Sequence, residues 1–297
     1  MYNSLISKYP PEFLVKNELL CEHTSFKIGG PADVFLTPNT PELMQEMIDD
    51  IINLKLRYMV LGGGSNLLFP DEGFRGVIIS TSKLTSLTLQ DNLLTAQCGL
   101  SLRDLTNFCL ENSLSGLEFA SGIPGSVGGA IFMNAGAYGG EMKDVVTSVD
   151  YLDHDNQLRN HSLTGHNFSY RSSIYQQRKY LVLQAKFKLT PKDKKEIQAE
   201  MQDLQHRRES KQPLEYPSAG SVFRRPEGYF VGKLIDDCAL KGYSIGGAQI
   251  SEKHSGFIIN KGNATAQNVI DLISFIQQTV KCKFGVDLHT EVRIINN

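Results

Sequence analysis

The sequence predicts an α+β protein, and three observations carry the prediction. Two glycine-rich stretches each follow strand-like or apolar sequence: Leu61-Gly62-Gly63-Gly64-Ser65-Asn66-Leu67-Leu68 behind Tyr58-Met59-Val60, and the long stretch Gly116–Gly140. Apolar residues recur at helical spacing over Leu43–Ile52 and again over Val269–Val280. Between them, two strand-like runs meet at Asp91-Asn92, which reads as a two-residue hairpin turn.

The long stretch, GLEFASGIPGSVGGAIFMNAGAYGG, holds eight glycines in 25 residues, with apolar residues and alanine filling most gaps. A flexible linker would be rich in serine and charge. Glycine in apolar sequence marks backbone at positive φ, or backbone lying directly against a ligand. Two such turns can present clustered N–H groups to a diphosphate, and two tight structural turns explain the same pattern. Neither is a standard nucleotide signature. Gly62-x-Gly64 has Leu67 where the Rossmann pattern needs its third glycine, and Gly228–Lys233 is one residue short of a P-loop and has Leu234 in place of Ser or Thr.

In chain order, residues 1–20 predict a short helix and a connector punctuated by Pro10-Pro11. Thr40 followed by Pro41 predicts an N-cap and first helical residue, with Leu43, Met44, Met47, Ile48, Ile51 and Ile52 on the buried face. Arg57–Leu61 and Gly76–Ile79 predict strands, then Leu84–Gln90 and Leu93–Gln97 a hairpin. Ser101 with Asp104 resembles a capping box, opening a helix with Leu102, Leu105, Phe108 and Cys109 inward. Val145–Leu152 and Tyr180–Leu189 are strand-like; Asp153-His154-Asp155 between them reads as an exposed turn, with no metal expected. Lys192–Lys211 predicts a charged helix with Ile197, Met201 and Leu204 on one side. The remainder predicts a strand over Ser221–Phe223, a helix over Tyr229–Leu240, a strand over Gly256–Asn260, a helix over Ala266–Lys283 stopped by Gly285, and a strand over Glu291–Ile295.

The 297 residues suffice for two or three packed units. Apolar residues at 41% and charged residues at 21% are ordinary for a globular protein, and a net charge of −2 without a basic block argues against nucleic acid and anionic membranes as partners. Cys21, Cys98, Cys109, Cys238 and Cys282 are odd in number and lack a C-x-x-C pair, which predicts reduced, mostly buried thiols in the cytoplasm. No export signal or membrane span is legible, and the oligomeric state is left open.

Polar residues embedded in apolar pattern are the candidates for chemistry. Ser221 lies between Gly220 and Val222, Arg171 follows Tyr170, and Glu291 precedes an apolar run. A satisfied hydroxyl, an ion pair and a solvated strand end explain the three equally well.

A resemblance separates these readings. His23-Thr24-Ser25-Phe26-Lys27-Ile28-Gly29-Gly30-Pro31-Ala32, Gly62–Asn66, Gly122–Ala130, Tyr170-Arg171-Ser172-Ser173, Pro217–Phe223 and Glu291-Val292-Arg293 resemble, in order, the blocks of the UDP-N-acetylenolpyruvoylglucosamine reductase family. The resemblance runs from about residue 20 to the C-terminus. It implies an FAD-binding fold of the vanillyl-alcohol oxidase/PCMH type made of two α+β subdomains, residues 1–80 and 81–200, and a C-terminal α+β substrate-binding domain, residues 201–297. The chain is compact between Phe223 and Gly232, similar to the shorter form of the family, so no clamping tyrosine is assigned.

The resemblance implies noncovalent FAD contacts at Leu61, Gly62, Gly63, Gly64, Ser65, Asn66, Gly122, Ile123, Pro124, Gly125, Ser126, Gly128, Gly129, Ala130 and Asn134. It implies NADPH as hydride donor, and Arg171, Ser221 and Glu291 as catalytic residues. Arg171 suits a developing enolate because its planar fork holds a carboxylate at two points. Ser221 would protonate substrate C2, and Glu291 would stand at the carboxylate side. Tyr170, Arg224, Lys233, Gln249 and Asn260 complete the implied substrate contacts. A flavin oxidase of the same fold and a non-catalytic flavin binder are the alternatives.

Overall fold

The computed structural model describes residues 2–296, whose contacts divide the chain into two compact units. Unit 1 comprises the segment up to Val15, Val34–Gly63 and Gly76–Arg208; unit 2 comprises Lys16–Asp33, Gly64–Arg75 and the chain from Glu209 onward. These bounds differ from the cuts expected near residues 80 and 200. Met44, Met47, Val77 and Ile79 share one apolar cluster with Leu94, Leu105 and Phe187, so the first two expected segments have a common core.

In unit 1, helix α1 (Asn3–Lys8) leads into strand Leu14–Leu19, which the sequence reading had left as connector. Its alternation is weak, and only Leu14 of the six residues is buried. Helix α2 (Pro41–Asn53) starts as expected: the Thr40 hydroxyl accepts the Leu43 N–H, and Pro41 occupies the first turn. Such a cap contributes about 1 kcal/mol. Met44, Met47, Ile48 and Ile51 form its buried face. A four-stranded sheet runs in the order Leu14–Leu19, Pro31–Leu36, Phe74–Ser80, Tyr58–Leu61. Its Tyr58–Leu61 and Phe74–Ser80 strands are parallel, with Leu61 opposite Ser80.

A five-stranded antiparallel sheet follows, ordered Leu158–Ser162, Val146–Leu152, Leu181–Lys188, Leu93–Gln97, Leu87–Gln90. The hairpin at Asp91-Asn92 is present, with Gln90 opposite Leu93 and Asp91 at φ 53°. Leu84 falls outside its first strand, in a turn closed by the Thr81 carbonyl. Helix α3 (Leu102–Glu111) is capped by Ser101, whose hydroxyl accepts the Asp104 N–H. Helix α4 (Val127–Met133) grows out of the glycine stretch, and α5 (Ile174–Gln177) precedes the Leu181–Lys188 strand. The Asp153–Asp155 segment is a turn: Asp153 accepts the Asp155 and Gln157 N–H groups and pairs with Arg159 at 2.7 Å. Helix α6 (Lys194–Lys211) closes the unit with Ile197 buried.

Unit 2 is a smaller α+β assembly around Phe26, Ile28, Val222, Ile258, Val269, Ile273 and Ile276. Its sheet is ordered Ser218–Ser221, Phe257–Asn260, Ala248–Ile250, Ser244–Ile245. The first strand therefore ends at Ser221, where the strand expected over Ser221–Phe223 was to begin. Val222 and Phe223 instead turn inward to the core, and Phe223 bridges Thr290. Helix α7 spans Val231–Asp237, shorter than expected because Tyr229 sits in a turn on Pro226. Helix α8 (Ala266–Phe284) starts at a Thr265–Asn268 capping box and stops at Gly285. The last strand shrinks to Arg293–Ile294, parallel to Leu67–Leu68, so Glu291 precedes it.

All five cysteines are free, but only Cys98 and Cys109 are buried; Cys282 is exposed on α8. Burial pushes the Cys98 and Cys109 thiols up to about 12, which keeps them protonated and inert. Among the described residues, no helix is long and apolar enough to cross a membrane.

His166 is almost wholly buried, and burial together with His161 holds its imidazole down to about 4. The unfolded imidazole titrates near pH ~6.5. Below that pH the unfolded chain binds a proton that the folded chain refuses until about pH 4. His166 therefore leaves stability untouched above pH ~6.5 and erodes it as the pH falls toward 4. The melting temperature should drop between pH 7 and 4.5, less steeply in His166→Asn than in the parent chain. Parallel profiles from scanning calorimetry would refute this.

Candidate active site

Within unit 1 the two glycine-rich stretches meet. A Cβ on Gly63 would lie 2.7 Å from the Gly125 Cα, and one on Gly62 would lie 2.8 Å from the Ser126 Oγ. These separations leave no room for a side chain at either position. The Ser126 hydroxyl joins the turns, accepting the Gly63 N–H at 3.3 Å and the Gly129 N–H at 3.5 Å, the latter as N-cap of α4. Strand Tyr58–Leu61 delivers the first turn; the second is held by Leu102 N donating to Gly125 O and Val127 N to Leu100 O. Backbone packed on backbone is the surface a diphosphate or a flat ring system requires. Leu61 is buried beneath it, whereas Gly129 is exposed. A Cβ on Gly129 would meet only the Ser126 Oγ, at 3.6 Å. The residues thus fit a flavin nucleotide, with Gly129 facing open space.

The structure moves other members of the expected cofactor set to different tasks. Gly128 lies against the protein: its N–H donates to Cys98 O, and a Cβ would lie 2.8 Å from the Cys98 Cβ. Asn134 is completely buried in the left-handed cap of α4. Its amide donates to Glu141 Oε2 and Ser169 O and accepts the Lys143 N–H, so its polar atoms hold the fold. In unit 2, Asn66 Nδ2 donates to the carbonyl of Glu291 at 3.1 Å.

Arg171 stands at the tip of a tight turn in unit 1. Ser169 and Ser172 exchange both backbone hydrogen bonds across it, and Arg171 itself has φ 53°. Its guanidinium donates to Gly136 O at 3.0 Å and lies 5.4 Å from the centre of the exposed Tyr170 ring. Glu141 is held below the usual carboxylate range chiefly by Lys143, with Asn134 and Arg171 contributing.

Ser221 and Glu291 are brought together in unit 2. Glu291 N donates to Val222 O at 2.7 Å, one residue beyond Ser221. Ser218 lies opposite Ile259 but Ser221 opposite Phe257, so three residues on one strand span two on the other. This bulge, with Gly220 at φ 76°, turns the Ser221 side chain out of the sheet, where it is exposed. Glu291 is half-buried beside it.

The remaining expected contacts divide. Arg224 is exposed, with its N–H bonded to His289 O. Lys233 is exposed and pairs with Asp237 one turn along α7 at 3.0 Å. Gln249 is buried and donates to Gly242 O and Ser244 Oγ, so it closes a turn. Asn260 donates to Phe26 O and accepts the Gly262 and Ala264 N–H groups, so it shapes a loop. Both are spent on the fold.

Sequence reasoning missed Arg208. It is buried near the end of α6, donates to Gly122 O and lies against the Gly122 backbone. Burial holds its guanidinium below the usual range. The signal was present: Ile197, Met201, Leu204 and Arg208 share one helical stripe, and an arginine there departs from the apolar pattern.

Neighbouring glycines separate ligand from packing. Gly128→Ala should cost roughly 1–3 kcal/mol of stability, as over-packing does. Gly129→Ala should keep or raise stability by up to about 1 kcal/mol, because alanine favours helix. It should nonetheless weaken flavin binding at least tenfold, as read by flavin titration alongside melting curves. Full flavin affinity in Gly129→Ala would remove α4 from the cofactor site.

The chain resembles known proteins along nearly its whole length. Residues 32–162 match the family described as FAD binding domain, and residues 212–295 match UDP-N-acetylenolpyruvoylglucosamine reductase, C-terminal domain. The UDP-N-acetylenolpyruvoylglucosamine reductase of Clostridium perfringens (strain SM101 / Type A) is 49% identical over 99% of this chain and 97% of its own. That of Caldanaerobacter subterraneus subsp. tengcongensis is 50% identical over 95% and 93%. The crystal structure of UDP-N-acetylenolpyruvylglucosamine reductase (MurB) from Thermus caldophilus superposes with a TM-score of 0.83 at 33% identity, covering 96% of this chain and 100% of that one. With relatives this similar along nearly its whole length, an FAD-binding segment and the matching C-terminal domain, the chain belongs to the UDP-N-acetylenolpyruvoylglucosamine reductase family.

Proposed function

We propose that this protein reduces the enolpyruvyl ether of UDP-N-acetylglucosamine to UDP-N-acetylmuramate in peptidoglycan precursor synthesis, with NADPH as the electron source. The observation that carries the reading is the Ser221–Val222–Glu291 arrangement: an exposed Ser221 after a bulge, with the Glu291 backbone tied to the next residue. Five free cysteines and the nucleotide-sugar substrate suit a cytoplasmic enzyme. We assign the cofactor chiefly to unit 1 and the substrate chiefly to the part of unit 2 from Glu209 onward.

FAD, held noncovalently at the turns Gly62-Gly63 and Gly125-Ser126 and at Gly129, would supply the hydride, taken from NADPH, that the enolpyruvyl C3 receives. The touching turns at Gly62-Gly63 and Gly125-Ser126 present backbone to the cofactor, and Gly129 leaves space for it. Arg171 holds the substrate carboxylate, where negative charge grows during reduction. Its guanidinium is anchored by its bond to Gly136 O. Tyr170, exposed beside it, packs on the substrate.

Ser221 gives its proton to C2. A hydroxyl is a weak acid, so it protonates only a strongly basic carbon, which is what hydride addition at C3 creates. Glu291, held by its own backbone bond to Val222 O, faces the carboxylate side and steadies the enolate by sharing a proton. Arg224 and Lys233 neutralise the diphosphate; Lys233 exchanges its exposed pair with Asp237 at little cost.

Two substitutions test the assignment under nitrogen by flavin absorbance. Ser221→Ala should leave bleaching by NADPH intact and slow recolouring by the enolpyruvyl substrate by several orders of magnitude, with Ser221→Cys retaining more than alanine. Equal slowing of both steps, or none in the second, would remove Ser221 from the chemistry. Recolouring only in air would instead identify an oxidase. Arg171→Lys loses the two-point grip, and kcat for substrate reduction should fall about tenfold to a thousandfold, as with lost oxyanion donors. Near-normal turnover would refute that role.

A further inference from the structure

The conformation of Arg171 needs support that its own turn does not supply. A bulky residue at φ 53° stores backbone strain and persists only where its surroundings enforce it. The turn closes at its base on His166 and Tyr175. Ile174 N donates to His166 O at 2.8 Å, and His166 Nδ1 lies 2.7 Å from the Tyr175 hydroxyl. His166 is 5% exposed and Tyr175 not at all. The His166 ring stacks on Phe168, its centre 5.1 Å away. The Tyr175 hydroxyl reaches His161 Nδ1 at 3.4 Å, and His161 Nε2 lies 3.1 Å from the Tyr151 hydroxyl, which roots the chain of contacts in the five-stranded sheet.

We infer that His166 is a positioning residue for Arg171: its bond to Tyr175 clasps the two ends of loop 167–173 and so fixes the turn that aims the guanidinium. The clasp carries a cost that packing alone would not select. His166 Nε2 is buried with no partner among the described residues, and a buried unpaired ring nitrogen is destabilising. An apolar side chain would fill this space without that penalty. What an apolar side chain lacks is a polar atom opposite the Tyr175 hydroxyl. Ser173 adds a second tether on the same loop, its hydroxyl donating to Phe132 O at 2.8 Å, so the His166–Tyr175 bond completes a loop already anchored at one point.

This inference rests on the reading of Arg171 given above, and its test separates the two. His166→Phe removes the bond while keeping an aromatic ring; Tyr175→Phe deletes one hydroxyl; His166→Asn keeps a polar atom where Nδ1 stood. In the FAD-loaded enzyme, both phenylalanine variants should bleach normally with NADPH and recolour about tenfold more slowly with the enolpyruvyl substrate. His166→Asn should recover most of the loss. Added to Arg171→Lys, His166→Phe should slow recolouring no further. The positioning role is overturned if the phenylalanine variants slow both half-reactions alike or neither, or if the effect multiplies in full with Arg171→Lys. Normal recolouring in Arg171→Lys overturns the Arg171 reading itself, and the positioning role with it. A slow Arg171→Lys beside a normal Tyr175→Phe overturns positioning alone. Tyr175→Phe and His166→Asn decide the matter should His166→Phe fail to fold.

Discussion

The contact between two backbone turns is the constraint on which unit 1 depends. Gly63 approaches Gly125 so closely that it admits no Cβ, and the Ser126 hydroxyl serves both turns at once. Everything that delivers those turns follows from the need to hold them together. The parallel strands Tyr58–Leu61 and Phe74–Ser80 fix the first, and Leu100, Leu102 and Cys98 fix the second through backbone bonds. Arg208 then braces Gly122 from α6. Buried polar groups this well bonded specify one arrangement, since any slip leaves several unpaired.

Unit 2 solves a different problem, which is to expose one hydroxyl at a strand end whose next two residues are buried. Alternation alone would return the Ser221 side chain to a face set by its neighbours. The extra residue between Ser218 and Ser221 breaks that alternation, and Val222 drops into the core. The Val222 carbonyl then receives the Glu291 and Val292 N–H groups, so hydroxyl and carboxylate are set by the same short segment. Asn66 secures the far side of Glu291 through its carbonyl.

A shared rule links these observations. Polar side chains that the sequence singles out serve either the ligand or the backbone around it, and their type does not distinguish the two. Asn134, Gln249 and Asn260 have their amides committed to protein partners. Arg171 bonds Gly136 O and stands at a turn tip, and Ser221 is exposed at a bulge. The strained φ at Arg171 fits the concentration of such strain at working sites.

The sequence by itself determined the elements whose cause is local. Thr40-Pro41 started α2, Ser101 started α3, Asp91-Asn92 made the hairpin, and the stripe from Val269 to Val280 made α8, because caps, turns and helical periodicity act over a few residues. The ordered motifs also identified the family and named Arg171, Ser221 and Glu291. Tertiary structure decided what depends on partners distant in the chain. Residues 16–33 and 64–75 joined the C-terminal unit, although their sequence neighbours lie in the other. Gly128 and Gly129 look identical in sequence, yet one abuts Cys98 and the other faces open space. Ser221–Phe223 read as a strand, but the bulge ended it at Ser221. Each outcome turned on which atoms arrived opposite, and side-chain pattern along one strand or helix carries no record of that.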